Sequence, residues 1–168
     1  MTPRSVMHGR ERRLRAQRGM TLIELMIALV IVGILTAVAL PLYTSYQERT
    51  YATQAMADLG SCAQAMERRY SLNYTYANAA DDGGGGAANT GAPLAAVCAA
   101  ASPPRGQALF DVTIQAADAT SFTLRATPIA AQAARDVGLL EIDSAGVRRW
   151  DKNQDGDVAD ADEDNWNI

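Results

Sequence analysis

At 168 residues and a formal net charge of −4, the chain has room for one modest domain and one membrane helix. A single histidine, His8, and two cysteines, Cys62 and Cys98, leave no CxxC or Cys/His metal spacing. Six arginines stand against Glu11 in residues 1–19, so the rest carries nine bases against 18 acids, a net charge of −9 that argues against non-specific nucleic-acid binding as the main activity.

The first element is a leader, residues 1–19, closed by Gly19. Met20 to Leu40 follows, 21 residues with one ionisable member, Glu24, and then Pro41. A helix of that length spans roughly 30 Å, the thickness of a bilayer's hydrocarbon core. A secretory signal peptide would have a shorter apolar stretch with a small-residue cleavage site after it, whereas Gly19 precedes this one. A plain signal anchor fits the length but gives no reason for an acid, which costs about 2.5–3.5 kcal/mol in a span. Arginines flanking the span stay cytoplasmic, so the rest of the chain is predicted to face outward.

Gly19, hydrophobic Met20, Glu24 as its fifth residue and Pro41 as its twenty-second together resemble the signature of type IV prepilins. The resemblance implies a membrane prepilin peptidase that cuts between Gly19 and Met20 and methylates the new amine. It also implies helices bundled into a filament core, with Glu24 pairing with a neighbouring subunit's terminal ammonium. Gly33 and Pro41 bracket a stretch that filaments of the family commonly unwind. Processing would remove His8, and with it histidine-based catalysis.

The helix is predicted to continue to about residue 71, bending near Pro41, where a backbone donor is lost. Ala52, Ala55, Met56, Leu59, Cys62, Met66 and Tyr70 recur near the 3.6 period, making residues 41–71 an amphipathic continuation of the membrane-spanning half, 20–40. Residues 72–106 read as a loop whose DDGGGGAANTGAP run, 81–93, is low-complexity and mobile. Asp81–Asp82 have no partner that would make them a catalytic dyad. Cys62 and Cys98 in an exported domain read as a disulfide that pins this loop to the helix.

Residues 107–150 read as sheet. Phe110, Val112 and Ile114 alternate with polar residues, as do Phe122, Leu124 and Ala126, around a turn at Asp118–Thr120. Leu140, Ile142 and Val147 flank a second turn at Ser144–Gly146. The predicted fold is α+β, a long N-terminal helix on a four-stranded antiparallel sheet. LGSCAQAMERRY, the YTY segment, SFTLRATP and GLLEIDSAGV are most similar to PilE-type minor pilins. Such relatives often carry a second cysteine pair, where this chain has Val137 and Asn165, so the C-terminal loop needs another staple.

The last element, residues 151–168, holds seven acids and one base. Its DKNQDGDVADAD run has the spacing of an EF-hand-like calcium loop, closest to the dockerin version. Asp151, Asn153 and Asp155 would supply side-chain oxygens, Gly156 the sharp turn and Asp157 its carbonyl, with Val158 turned inward and Asp162 closing the shell. The alternative is a solvated acidic tail, and magnesium would be a weaker occupant.

These readings lead to a structural subunit of a type IV pilus, major or minor, supporting motility, adhesion or DNA uptake, and not an enzyme: no nucleophile motif, P-loop or dinucleotide fingerprint is present. Its implied partners are other pilin subunits, the prepilin peptidase and an inner-membrane assembly platform, with the subunit in the inner membrane first and in an extracellular pilus afterwards. A type II secretion pseudopilin shares the leader and is the nearest alternative. DNA would be a partner only of an uptake pilin, with Arg105, Arg125, Arg135, Arg148, Arg149 and Lys152 as the basic candidates.

Overall fold

The computed structural model describes residues 20–167 apart from 85 and 161; the leader, with Gly19, lies outside the described residues. The chain divides after Pro41 into two units. A helix, α1 (Leu22–Asn73), runs through both and contains Pro41. In the first unit its residues are exposed all round, among them Leu22, Ile23, Ile27, Val30, Ile34 and Leu35. This is the segment long and apolar enough to cross a membrane. Thr36 turns its hydroxyl back onto the carbonyl of Val32, 2.7 Å away, so the polar group is satisfied inside the helix.

In the second unit, burial along α1 follows the helical period through Ala52, Ala55, Met56, Leu59, Cys62 and Met66. Alanines on this stripe let the sheet approach closely, while Leu59 and Met66 fill the space between. The helix ends where Tyr74 takes a left-handed conformation (φ 56°) and donates its N–H to the Tyr70 carbonyl at 2.7 Å.

Among the described residues seven strands follow: β1 (Ala80–Asp81), β2 (Ala87–Ala88), β3 (Ala101–Ser102), β4 (Phe110–Ala117), β5 (Phe122–Pro128), β6 (Leu140–Asp143) and β7 (Arg148–Trp150). The last five make one antiparallel meander in the order β3-β4-β5-β6-β7, and β1 and β2 pair separately. The sheet therefore has five strands, not four. The additional strand, β3, is a two-residue edge whose alanine and serine carry no alternating pattern for sequence reasoning to find.

Alternation places Phe110, Val112, Ile114, Phe122, Leu124, Leu140 and Ile142 in the core that faces α1. Each fully buried Leu or Phe contributes about 1.5–3 kcal/mol relative to an exposed one. A bulge between Ile114 and Ala116 shifts the register of β4 against β5. Asp118 closes that hairpin by accepting from the N–H groups of Thr120 and Ser121 and from the Ser121 hydroxyl, all at 2.7 Å. Those bonds hold its carboxyl at about 2, well below the usual range.

In the Gly-rich run, β1 and β2 pair as a short hairpin. Asp82 accepts from the N–H groups of Gly84 and Gly86 at 2.7 and 2.8 Å, and the same bonds lower its pKa. A side chain on Gly86 would strike the Asp82 carboxylate. The loop's start is fastened by Tyr76, which stacks on Tyr70, meets Phe122 edge-on and donates its hydroxyl to Glu67 at 3.0 Å. Burial and then the Glu67 carboxylate push the Tyr76 phenol up to about 12. On the far side, Ser102, fully buried, donates to Asp58 of α1 at 2.5 Å.

Candidate functional site

Two regions carry the residues singled out by sequence, one in each unit. In the first, Thr21 and Glu24 make a capping box at the start of α1. The Glu24 N–H donates to the Thr21 hydroxyl oxygen, and both the N–H and the hydroxyl of Thr21 donate to the Glu24 carboxylate, each contact at 3.3 Å. The T-x-x-E spacing is the sequence signal for this cap, and it adds Thr21 to the residues that matter here. The carboxylate has a structural task within its own chain: it satisfies helix-terminal donors that have no intrahelical partner. Met20, just outside the helix, is exposed, as are the apolar side chains after it. The helix is continuous through Gly33 and Pro41, and a side chain at Gly33 would meet nothing within 4 Å.

In the second unit, Cys62 and Cys98 are joined by a disulfide between Cα atoms 5.3 Å apart. It ties α1 to the segment that leads into β3. Leu94 adds to the tie, donating to the Ala79 carbonyl at 2.9 Å, and its own carbonyl accepts from Val97 and Cys98.

The C-terminal loop is stapled without cysteines. The Trp150 N–H donates to the Glu163 carbonyl at 2.9 Å and the Asp151 N–H to the Leu139 carbonyl at 3.0 Å. The Trp150 indole donates to the Val137 carbonyl at 2.7 Å and the Trp166 indole to the Arg149 carbonyl at 2.9 Å. Val137 is buried, and Asn165 accepts from Lys152 at 3.3 Å. Gly138 (φ +86°) permits the closest approach, because a Cβ there would stand 1.8 Å from the Asp151 carbonyl oxygen.

Within the loop, two carboxylates are buried, Asp151 (2 % exposed) and Glu163 (0 %). Asp151 accepts from the Gly156 N–H through Oδ2 at 3.2 Å, and Glu163 from the Asp160 N–H through Oε2 at 3.4 Å. Their other oxygens, Oδ1 and Oε1, have no hydrogen-bond partner. Asp162, expected to close the loop, is exposed. A turn in which the Glu163 N–H donates to the Asp160 carbonyl (3.1 Å) brings Glu163 inward in its place. An exiting helix would have aimed the twelfth position of the loop inward; here backbone pairing with Trp150 selects the thirteenth.

Asn153 donates to Asp155 at 3.0 Å and to Asp160 at 2.9 Å, drawing those two carboxylates together. Burial raises the pKa of Glu163, and the nearby charges of Asp151, Asp155 and Asp160 raise it further. Asp157 accepts from the Ala159 N–H at 2.8 Å, and Val158 is half-buried. Among the described residues no three carboxylates, thiols or imidazoles already stand as a metal shell.

The basic residues that could make a nucleic-acid stripe are mostly engaged. Arg125 pairs with buried Glu141 at 2.7 Å, Arg135 with Asp136 at 3.2 Å, and Arg149 with Asp143 at 3.3 Å and Asp164 at 3.8 Å. Arg148 lies over the Trp166 ring and Lys152 over Trp150, each 5.2 Å from the ring centre. Arg105 is exposed.

Comparison with known proteins places these features. Residues 41–138 match a family described as type IV minor pilin ComP, DNA uptake sequence receptor, and residues 14–40 match the prokaryotic N-terminal methylation motif. The chain is 32% identical over 142 residues to the type IV major pilin protein PilE of Neisseria gonorrhoeae, covering 84% of this chain and 71% of that protein. It is 46% identical over 54 residues to a fimbrial protein of Pseudomonas aeruginosa, a match covering 32% of this chain and 35% of that protein's length. Among solved structures, the non-core minor pilin PilV of Neisseria meningitidis aligns with a TM-score of 0.44 and 19% identity, over 62% of this chain and 86% of that one.

Proposed function

The chain belongs to the type IV pilin family, and we propose that it is a structural subunit of a type IV pilus, anchored in the inner membrane before assembly and carried outward in the filament. One observation carries this reading: an apolar helical segment, exposed all round up to Pro41 and capped by its single acid, lies within the stretch that matches the methylation motif, residues 14–40. An unpartnered apolar surface of this kind needs either lipid or other helices, and a filament core supplies the second when the subunit leaves the first.

In this reading the prepilin peptidase cleaves after Gly19 and methylates Met20, and an inner-membrane platform assembles the product. Glu24 then has two tasks. It caps its own helix through Thr21, and it neutralises the terminal ammonium of the adjoining subunit, a pairing that is strong in low dielectric. The family match across residues 41–138 favours a pilus subunit over a secretion pseudopilin. DNA recognition is not part of the proposal, because the basic side chains of the head are largely engaged by its own acids and tryptophans.

Glu24→Gln and Glu24→Ala separate the two tasks. Glutamine retains the capping geometry without the charge; alanine removes both. Both variants should insert in the membrane, and both should be depleted from sheared surface filaments, in which the wild-type chain begins at Met20 and is heavier by one methyl group in mass spectrometry. Wild-type incorporation of Glu24→Gln would eliminate the charge pairing and leave only the cap. A surface chain that retains the leader would defeat the pilus reading.

A further inference from the structure

We propose that the C-terminal loop binds one calcium ion, held innermost by the buried carboxylates of Asp151 and Glu163 and completed by Asp155 and Asp160. The argument starts from two oxygens, Asp151 Oδ1 and Glu163 Oε1, which are buried and accept no hydrogen bond. A buried carboxylate oxygen without a donor is costly, and two brought into one loop by backbone pairing are costlier still. The bond from the Trp150 N–H to the Glu163 carbonyl sets Glu163 beside the backbone that carries Asp151, so the two buried carboxylates belong to adjoining segments. A divalent cation there satisfies both.

The remaining donors fit calcium. All are oxygens, with neither thiolate nor imidazole among the ligands, which favours a hard cation. Asp155 and Asp160, both exposed, are already drawn together by the Asn153 amide, and rotation of their side chains toward Asp151 closes the shell. Gly156 (φ +97°) turns the backbone sharply between the ligands, as an ion-wrapping loop requires. Calcium accepts six to eight oxygens in irregular geometry, whereas magnesium demands a near-ideal octahedron, which an irregular loop of this kind does not offer. The assignment departs from the simple loop spacing in bringing in Asp160 and leaving out Asn153 and Asp157, and most testably in its closing acid, which is Glu163 and not Asp162.

The experiment uses the full processed chain in detergent, with calcium chloride as the probe and magnesium chloride as the comparison. Calcium should raise the thermal midpoint, as a ligand that prefers the folded state must, and calorimetry should give a stoichiometry of one. Glu163→Gln should weaken calcium binding by at least about tenfold, while Asp162→Asn should leave it within about twofold. A Glu163→Gln chain that fails to fold does not end the test. Terbium bound beside Asp151 in the wild-type chain should luminesce on excitation of neighbouring Trp150, and calcium should quench that emission by displacement. An equal response to magnesium would mean charge screening alone and would overturn the assignment. So would a midpoint indifferent to calcium together with the absence of displaceable terbium emission, or a loss of binding in Asp162→Asn with none in Glu163→Gln.

Discussion

Single residues decide how the C-terminal loop is attached, and Gly138 is the sharpest case. Its φ of +86° is a conformation that a side chain adopts at a cost of about 1–2 kcal/mol, and a Cβ would also meet the Asp151 carbonyl oxygen at 1.8 Å. Gly146 has a similar φ, +82°, but open space around it. Gly146→Ala should therefore cost only the conformational part, about 1–2 kcal/mol, and Gly138→Ala at least about 1 kcal/mol more, because the Asp151 backbone must shift. Urea unfolding followed by tryptophan fluorescence measures both. Equal losses would mean that the loop yields freely and that the Asp151–Leu139 contact contributes little. Glu24 shows a different side of the same scale. One carboxylate closes a capping box, and the proposed assembly gives it a second role outside the chain; only a substitution that keeps one role and removes the other can tell them apart.

Among the elements, the segment between α1 and β4 is the least self-supporting. Its strands β1, β2 and β3 are two residues each, too short to hold themselves together. The Cys62–Cys98 bridge closes a 36-residue separation across it. In the chain-entropy account such a loop stabilises by about 3–4 kcal/mol. A Cys62→Ala/Cys98→Ala double variant should lose roughly that amount in urea unfolding, with proteolysis beginning in residues 81–93. A loss below about 1 kcal/mol would show that the Tyr76 stack, the Leu94–Ala79 bond and the Ser102–Asp58 bond already hold the segment. Strands β4 and β5 need no such aid. They alternate, save at the β4 bulge, and bury large apolar side chains on one face.

For the molecule as a whole, charge is partitioned along the chain. The leader is basic, the apolar segment holds one acid, and residues 151–168 alone hold seven acids against one base. Without residues 1–19 the chain is at −9, so its surface repels polyanions except where cations are free to gather. Since Arg125, Arg135 and Arg149 are paired with acids, duplex DNA should bind the processed chain no more tightly than about 10⁻⁴–10⁻⁶ M at physiological salt, without sequence preference. Fluorescence anisotropy against several duplexes checks this. Nanomolar binding to one sequence would restore the uptake-receptor role that the matching family's description names.

What could be read along the chain was whatever repeats locally. The apolar run, the helical stripe from Ala52 to Met66 and the alternation in Phe110–Ile114 and Phe122–Ala126 each encode burial in their own period, so the long helix, the main strands and the class of fold were legible before any coordinates. The T-x-x-E cap is equally local, because Thr21 and Glu24 stand one helical turn apart. Residues whose partners lie far away in sequence were a different matter. Strand β3 exists because β4 offers it an edge, and no pattern in Ala101–Ser102 announces it. Glu163 rather than Asp162 turns inward because Trp150 pairs with its backbone, and Gly138 is required because Asp151 passes over it. Local spacing lists the oxygens of the acidic loop, but their inward or outward orientation follows from contacts between segments, which only the tertiary structure contains.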